Sequence, residues 1–123
     1  MTLEDARIVS FVGVSDLDEA EQFYGGVLGL ALDDVRPFAL VADDGASELR
    51  ITAVGEVHPA SHTVLGWQVD DIEGAVDGLV AKGLKFTRYE GLEQDGRGIW
   101  TAPGGTRIAW FHDRDGNTLS LQT

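Results

Sequence analysis

The feature that most constrains this chain is an internal repeat: VSDLDEA, beginning at Val14, recurs as VDDIEGA beginning at Val69. Leu28-Gly29-Leu30 is answered in the same way by Lys82-Gly83-Leu84. A repeat of this length is one supersecondary unit used twice. Before each copy's aspartate lies a run rich in β-branched and aromatic residues, Ile8 to Val14 and Thr63 to Val69, which reads as a strand. Asp16 and Asp71 stand where an N-cap carboxylate would accept from the first free N–H groups of a helix. Glu19 follows Asp16 at capping-box spacing. Leu17, Ala20, Phe23, Tyr24 and Val27, and then Ile72, Ala75, Val76, Leu79 and Val80, recur at helical period and give each helix one apolar face. Gly29 and Gly83 end the helices, because glycine takes positive φ at little cost.

Three short strands are expected after each helix, at about 31–36, 37–43 and 47–54 in the first copy and 84–90, 106–112 and 117–122 in the second. Turns fall at Asp43-Asp44-Gly45 and at Asp115-Gly116-Asn117, while 91–98 and 103–105 are Gly-rich loops. The expectation is an α+β fold of two βαβββ modules within a single domain, 1–123, with module 1 at about 5–56 and module 2 at about 61–123. A chain of 123 residues buries about two-thirds of its unfolded surface and needs no staple.

Composition then removes several function classes. With no cysteine there is no thiolate ligand, no thiol nucleophile and no disulfide. Nine Lys and Arg against 21 Asp and Glu give a formal charge of −12, which repels nucleic acid and anionic membrane. The N-terminus lacks the basic and apolar regions of a signal peptide, and no apolar run is long enough to span a bilayer, so a cytoplasmic protein is expected.

The doublet of β-α-β-β-β units, with the strings FYGGVLGL, LGWQVDDI and WFHDRDGNTLSL, resembles the vicinal oxygen chelate superfamily of glyoxalase I, bleomycin-resistance proteins and extradiol dioxygenases. The resemblance covers nearly the whole chain. It implies an open, curved mixed sheet with helices outside and a central cleft, completed by pairing chains into a homodimer. Alternation along strands assigns the cleft side. Ile8, Val12 and Val14 are expected to face the helix and Arg7, Val9 and Phe11 the cleft; Leu49 and Ile51 the core, and Glu48, Arg50 and Thr52 the cleft. In the second copy Leu65, Trp67, Ala109, Phe111, Leu119 and Leu121 are expected in the core. That leaves His62, Val64, Gly66, Gln68, Ile108, Trp110, His112, Thr118, Ser120 and Gln122 on the cleft side.

Metal-binding members of the superfamily carry His, Gln or Glu at one position on each of the first, fourth, fifth and eighth strands. The matching residues here are Val9, Arg50, Val64 and Ser120. Two hydrocarbons, a cation and a hydroxyl do not make a ligand set for a divalent ion, so no metal or other cofactor is expected. Trp110 stands where extradiol dioxygenases have a catalytic tyrosine, and can stack or donate through its indole N–H; a core position is the alternative. Arg50 suits an anionic or carbonyl group of a ligand, or else pairs with Glu48. Trp100 is placed to cover the cleft.

The expected ligand-binding residues are therefore Val9, Phe11, Arg50, Val64, Gln68, Trp100, Trp110 and Ser120. The expected function is metal-free binding of an aromatic or carbonyl-bearing small molecule. The alternative is an enzyme of the same superfamily, a lyase, isomerase or dioxygenase. It would use a displaced metal site built from His62, His112 and Glu48, or acid–base chemistry by His62 or His112.

Overall fold

Each half of the repeat folds as its own four-stranded mixed sheet with a helix against one face. The structure, a computed structural model, describes residues 2–123 and divides into two compact units, one ending at His58 and the other beginning at Pro59. In the first, β1 (Ile8–Val14) leads into a helical segment, followed by β2 (Asp33–Val35), β3 (Ala39–Asp43) and β4 (Ser47–Ala53). The second holds β5 (Leu65–Gln68), the helix Ile72–Ala81, β6 (Trp100–Thr101), β7 (Arg107–His112) and β8 (Thr118–Gln122). Strand orders β1-β4-β3-β2 and β5-β8-β7-β6 are the same topology twice, with β1–β4 and β5–β8 parallel and the other pairs antiparallel. No helix among the described residues is long and apolar enough to cross a membrane.

The caps form as the sequence requires. The Asp16 carboxylate accepts from the N–H groups of Asp18 and Glu19, and that of Asp71 from Gly74. Gly29 and Gly83 end their helices at φ +78° and +94°. The first helix, α1 (Leu17–Ala20), departs from expectation by widening into a π-helical segment, Glu21–Val27, with Leu28 N–H donating to the Phe23 carbonyl five residues back. The wider turn lets the adjacent residues Phe23 and Tyr24 both face inward, where their rings meet edge to face at 5.1 Å. The second helix, α2 (Ile72–Ala81), is regular and buries Ile72 and Val76.

Parity along the strands agrees with the periodicity at most positions. Val12, Val14, Leu49 and Ile51 form the core of the first unit, and Ala109, Phe111, Leu119 and Leu121 that of the second. Trp67 stacks on Phe111 at 6.3 Å, and Phe86 meets the same ring edge-on at 5.5 Å. Two apolar-face assignments fail: Ile8, the first residue of β1, is 69% exposed, and Val80, next to the last residue of the second helix, is 51% exposed.

The strand expected at 84–90 is also corrected. Thr87 N–H donates to the Trp110 carbonyl there, but the ladder along that edge of β7 comes instead from Trp100 and Thr101. The chain turns away at Gly91 (φ +87°), so the edge is shared between two separate limbs. The tip of the connecting loop is tied to α2 by Arg97, whose Nε and guanidinium nitrogen donate to the Asp77 carboxylate at 2.9 and 3.0 Å. Hydrogen bonding by Arg97 holds the Asp77 carboxyl below the usual aspartate range. A carboxyl depressed on folding contributes stability that is present above its unfolded pKa and lost as pH falls through the folded one. Asp77→Asn should therefore be less stable than the parent at neutral pH, and urea midpoints should show the gap closing as pH drops through and below about 4.

Candidate functional site

On the face of the second sheet turned away from α2, three strands contribute a row in register: Gly66 on β5, Ser120 on β8 and Trp110 on β7. A Cβ at Gly66 would lie 2.7 Å from Ser120 Oγ and 3.3 Å from the Ser120 carbonyl oxygen, so a larger residue there would have to displace Ser120. Ser120 itself is only 4% exposed. The row continues in aromatic side chains. Trp110 meets Trp100 at a centroid distance of 6.0 Å, tilted by 33°, and Tyr89 on its other side at 5.4 Å, edge to face at 89°. All three rings are partly exposed. The Trp110 indole N–H donates to Thr63 Oγ1 at 3.2 Å, which fixes the ring in its plane. On the same face, His112 Nδ1 lies 3.0 Å from Thr87 Oγ1.

The sequence-expected residues of this unit divide accordingly. Trp100, Trp110 and Ser120 come together; Gln68 lies at the far end of β5 opposite Gln122, and Val64, 40% exposed, immediately precedes β5 with its N–H on the Thr118 carbonyl. His62 is exposed outside the strands. Tyr89, Thr63 and Thr87 join the site from outside the sequence-expected set. Their signal was the alternation about Phe86, which packs on Phe111 and so turns Thr87 and Tyr89 to the opposite face.

In the first unit, Val9 and Phe11 lie on the face turned away from α1, in register with Glu48 and Arg50. Arg50 pairs with Glu48 at 3.3 Å, and Glu48 also accepts from Arg7 at 3.0 Å. Arg7 in turn reaches Asp43, whose hydrogen bond raises the arginine's pKa and depresses that of the aspartate. Two cations and two anions thus satisfy one another across the ends of β1, β3 and β4.

The family model for the glyoxalase/bleomycin resistance protein/dioxygenase superfamily matches residues 7–121. The chain belongs to that superfamily. Solved structures agree on the fold. A superfamily member from Sphaerobacter thermophilus superposes with TM-score 0.72 at 20% identity, over 98% of this chain and 98% of that one. Lactoylglutathione lyase from Agrobacterium tumefaciens gives 0.74 at 17% identity, covering 98% and 95%. An antibiotic-binding protein from Streptomyces sp. CB03234 gives 0.70 at 23% identity, covering 98% and 97%. No curated protein matches the chain.

At the four positions that the superfamily resemblance assigns to metal ligands, the residues of this chain do not suit a divalent ion. Val9 and Val64 are hydrocarbon, Arg50 is a cation already engaged by Glu48, and the Ser120 hydroxyl is buried beside Gly66. Imidazole or carboxylate donors are what a divalent ion requires, and none stands at these four positions. Among the described residues no three His, Asp or Glu side chains are grouped to hold an ion.

Proposed function

We propose that this superfamily member binds an aromatic, carbonyl-bearing small molecule on the exposed face of its second sheet, without a metal ion. The observation that carries the proposal is the row Tyr89–Trp110–Trp100, three partly exposed rings on one sheet face of which the central one meets each of the others. Large aromatic surfaces left partly in water gain by being covered, and a planar ligand stacks on them with little loss of conformational entropy. Trp110 has committed its N–H to Thr63, whereas among the described residues the Trp100 indole N–H has no protein acceptor and is free to donate to a ligand carbonyl. The antibiotic-binding neighbour from Streptomyces performs a task of this kind on the same fold.

A thermal-shift series of planar aromatic ketones, quinones and carboxylates tests the proposal, because a compound that binds only the native state raises the melting temperature. At least one member should do so and quench tryptophan fluorescence, and Trp100→Phe should weaken a carbonyl ligand more than its hydrocarbon analogue. A series in which nothing shifts the midpoint sinks the proposal. The metal-free part has its own check by elemental analysis: no divalent ion should remain at one per chain after dialysis against chelator, and retention of one would overturn it.

A second reading, catalysis, is favoured by one contact. The Thr87 hydroxyl at His112 Nδ1 orients the imidazole and leaves Nε2 for a ligand, as an acid or base requires. Turnover of a bound compound by the parent and not by His112→Gln would select it. We further propose a homodimer, supported by the edge position of β1 and by Ile8, Phe11 and Phe38, exposed by 69%, 66% and 70%. Sedimentation at high micromolar concentration should give twice the chain mass; a monomer there would withdraw it.

A further inference from the structure

We infer that Gln94 is the positioning residue of the aromatic row and, through it, of the ligand selectivity of the second sheet's face. The functional half of this inference rests on the binding proposal above; the geometric half does not.

Tyr89 and Trp100 sit on different limbs of the chain. The first limb is fixed to β7 through Thr87 N–H and the Trp110 carbonyl at 2.7 Å, and the second through the pairing of Trp100 with Ile108. Away from β7 the first limb is also tied to the connecting loop by the Arg88 guanidinium, which donates to the Asp95 carbonyl at 2.7 Å. The Thr87 carbonyl, the Tyr89 N–H and the Gly98 carbonyl are bridged by one side chain. Gln94 Oε1 accepts from Tyr89 N–H at 2.7 Å, and Gln94 Nε2 donates to the carbonyls of Thr87 at 2.9 Å and Gly98 at 2.8 Å. Its backbone also bridges to Trp100.

A primary amide has one acceptor oxygen and two N–H donors, and all three functions are used here. A carboxylate of the same size would keep the acceptor and lose both donors. A thioether of the same length would lose all three, leaving backbone groups that must find other partners or be exposed by separation of the limbs. Gly98 takes φ +87°, a backbone conformation that L side chains rarely adopt, so the turn that presents its carbonyl to the amide favours glycine.

The Arg97–Asp77 fork anchors the same loop from another side. It holds the tip to α2 and touches neither limb's backbone at Tyr89 or Trp100. Loop stability and ring placement are therefore separable by mutation.

The test needs no ligand at its first stage. Two indoles at 6.0 Å and 33° couple as excitons, giving a circular-dichroism couplet that Trp100→Phe should abolish and so assign. Gln94→Met should lose most of that couplet while still unfolding cooperatively, and Gln94→Glu should do the same if the Met variant fails to fold. Asp77→Ala should lower the melting temperature and leave the couplet in place. An unchanged couplet in both Gln94 variants, or equal loss in Asp77→Ala, overturns the inference. At the second stage, Gln94→Met should reorder the affinities of the aromatic ketone, quinone and carboxylate series. Uniform weakening would overturn the selectivity role. If the couplet is lost as expected but no compound binds the parent, ring placement by Gln94 stands and the binding proposal falls.

Discussion

Replacing Trp110 by alanine is expected to weaken binding of the tightest compound in the aromatic series by about 2 kcal/mol, roughly thirtyfold in Kd. The ring is central to the row: it touches Tyr89 at 5.4 Å and Trp100 at 6.0 Å, and its removal breaks both contacts as well as the bond to Thr63. Trp110→Phe should recover part of the loss, because a smaller ring still stacks. Thr63→Val isolates the orienting bond and should cost about 1 kcal/mol or less. Calorimetry on the three variants is the measurement. Undiminished affinity in Trp110→Ala would move the site off this face, since no other ring there contacts both neighbours.

Phe111→Ala should be the most destabilising single change in the second unit, by about 3–5 kcal/mol. Phe111 is fully buried beneath α2, stacked on Trp67 at 6.3 Å and met edge-on by Phe86 at 5.5 Å. Those two rings cannot both move into the vacated space, because Trp67 is held by the β5–β8 ladder and Phe86 lies next to Thr87, which is bonded to β7. Domains of this size are stable by only about 5–15 kcal/mol, so the variant stands near the limit of folding. Urea unfolding should show a lower midpoint at an unchanged slope. A loss under about 1 kcal/mol would mean that the neighbours repack freely.

The core of both units was legible because it depends on local periodicity. Val12 and Val14, Leu49 and Ile51, Ala109 and Phe111, and Leu119 and Leu121 alternate with less buried neighbours in most places, and a two-residue period needs no knowledge of distant chain. The caps at Asp16 and Asp71 and the glycine stops were legible for the same reason, since each is satisfied by backbone a few residues away. Superfamily membership followed from the order of these elements.

The site was legible only in part. Trp100 and Trp110 were found, but Tyr89 and Gln94 lie in the segment whose strand did not form as expected. Arg50 was assigned to a face correctly, yet its partner among several nearby charges depends on where Arg7 and Asp43 arrive from other elements.

The sequence by itself determined the doublet of βαβββ units, their helix caps and the buried parity of their strands, because each is set by interactions within a few residues or by a repeating pattern. Tertiary structure decided the rest. Whether the edge of β7 would be completed by 84–90 or by Trp100–Thr101 depends on competition for the same backbone groups, and a side-chain amide at Gln94 joins the two limbs. Which rings meet on the exposed face then follows from register across strands far apart in sequence, a quantity that no local pattern contains.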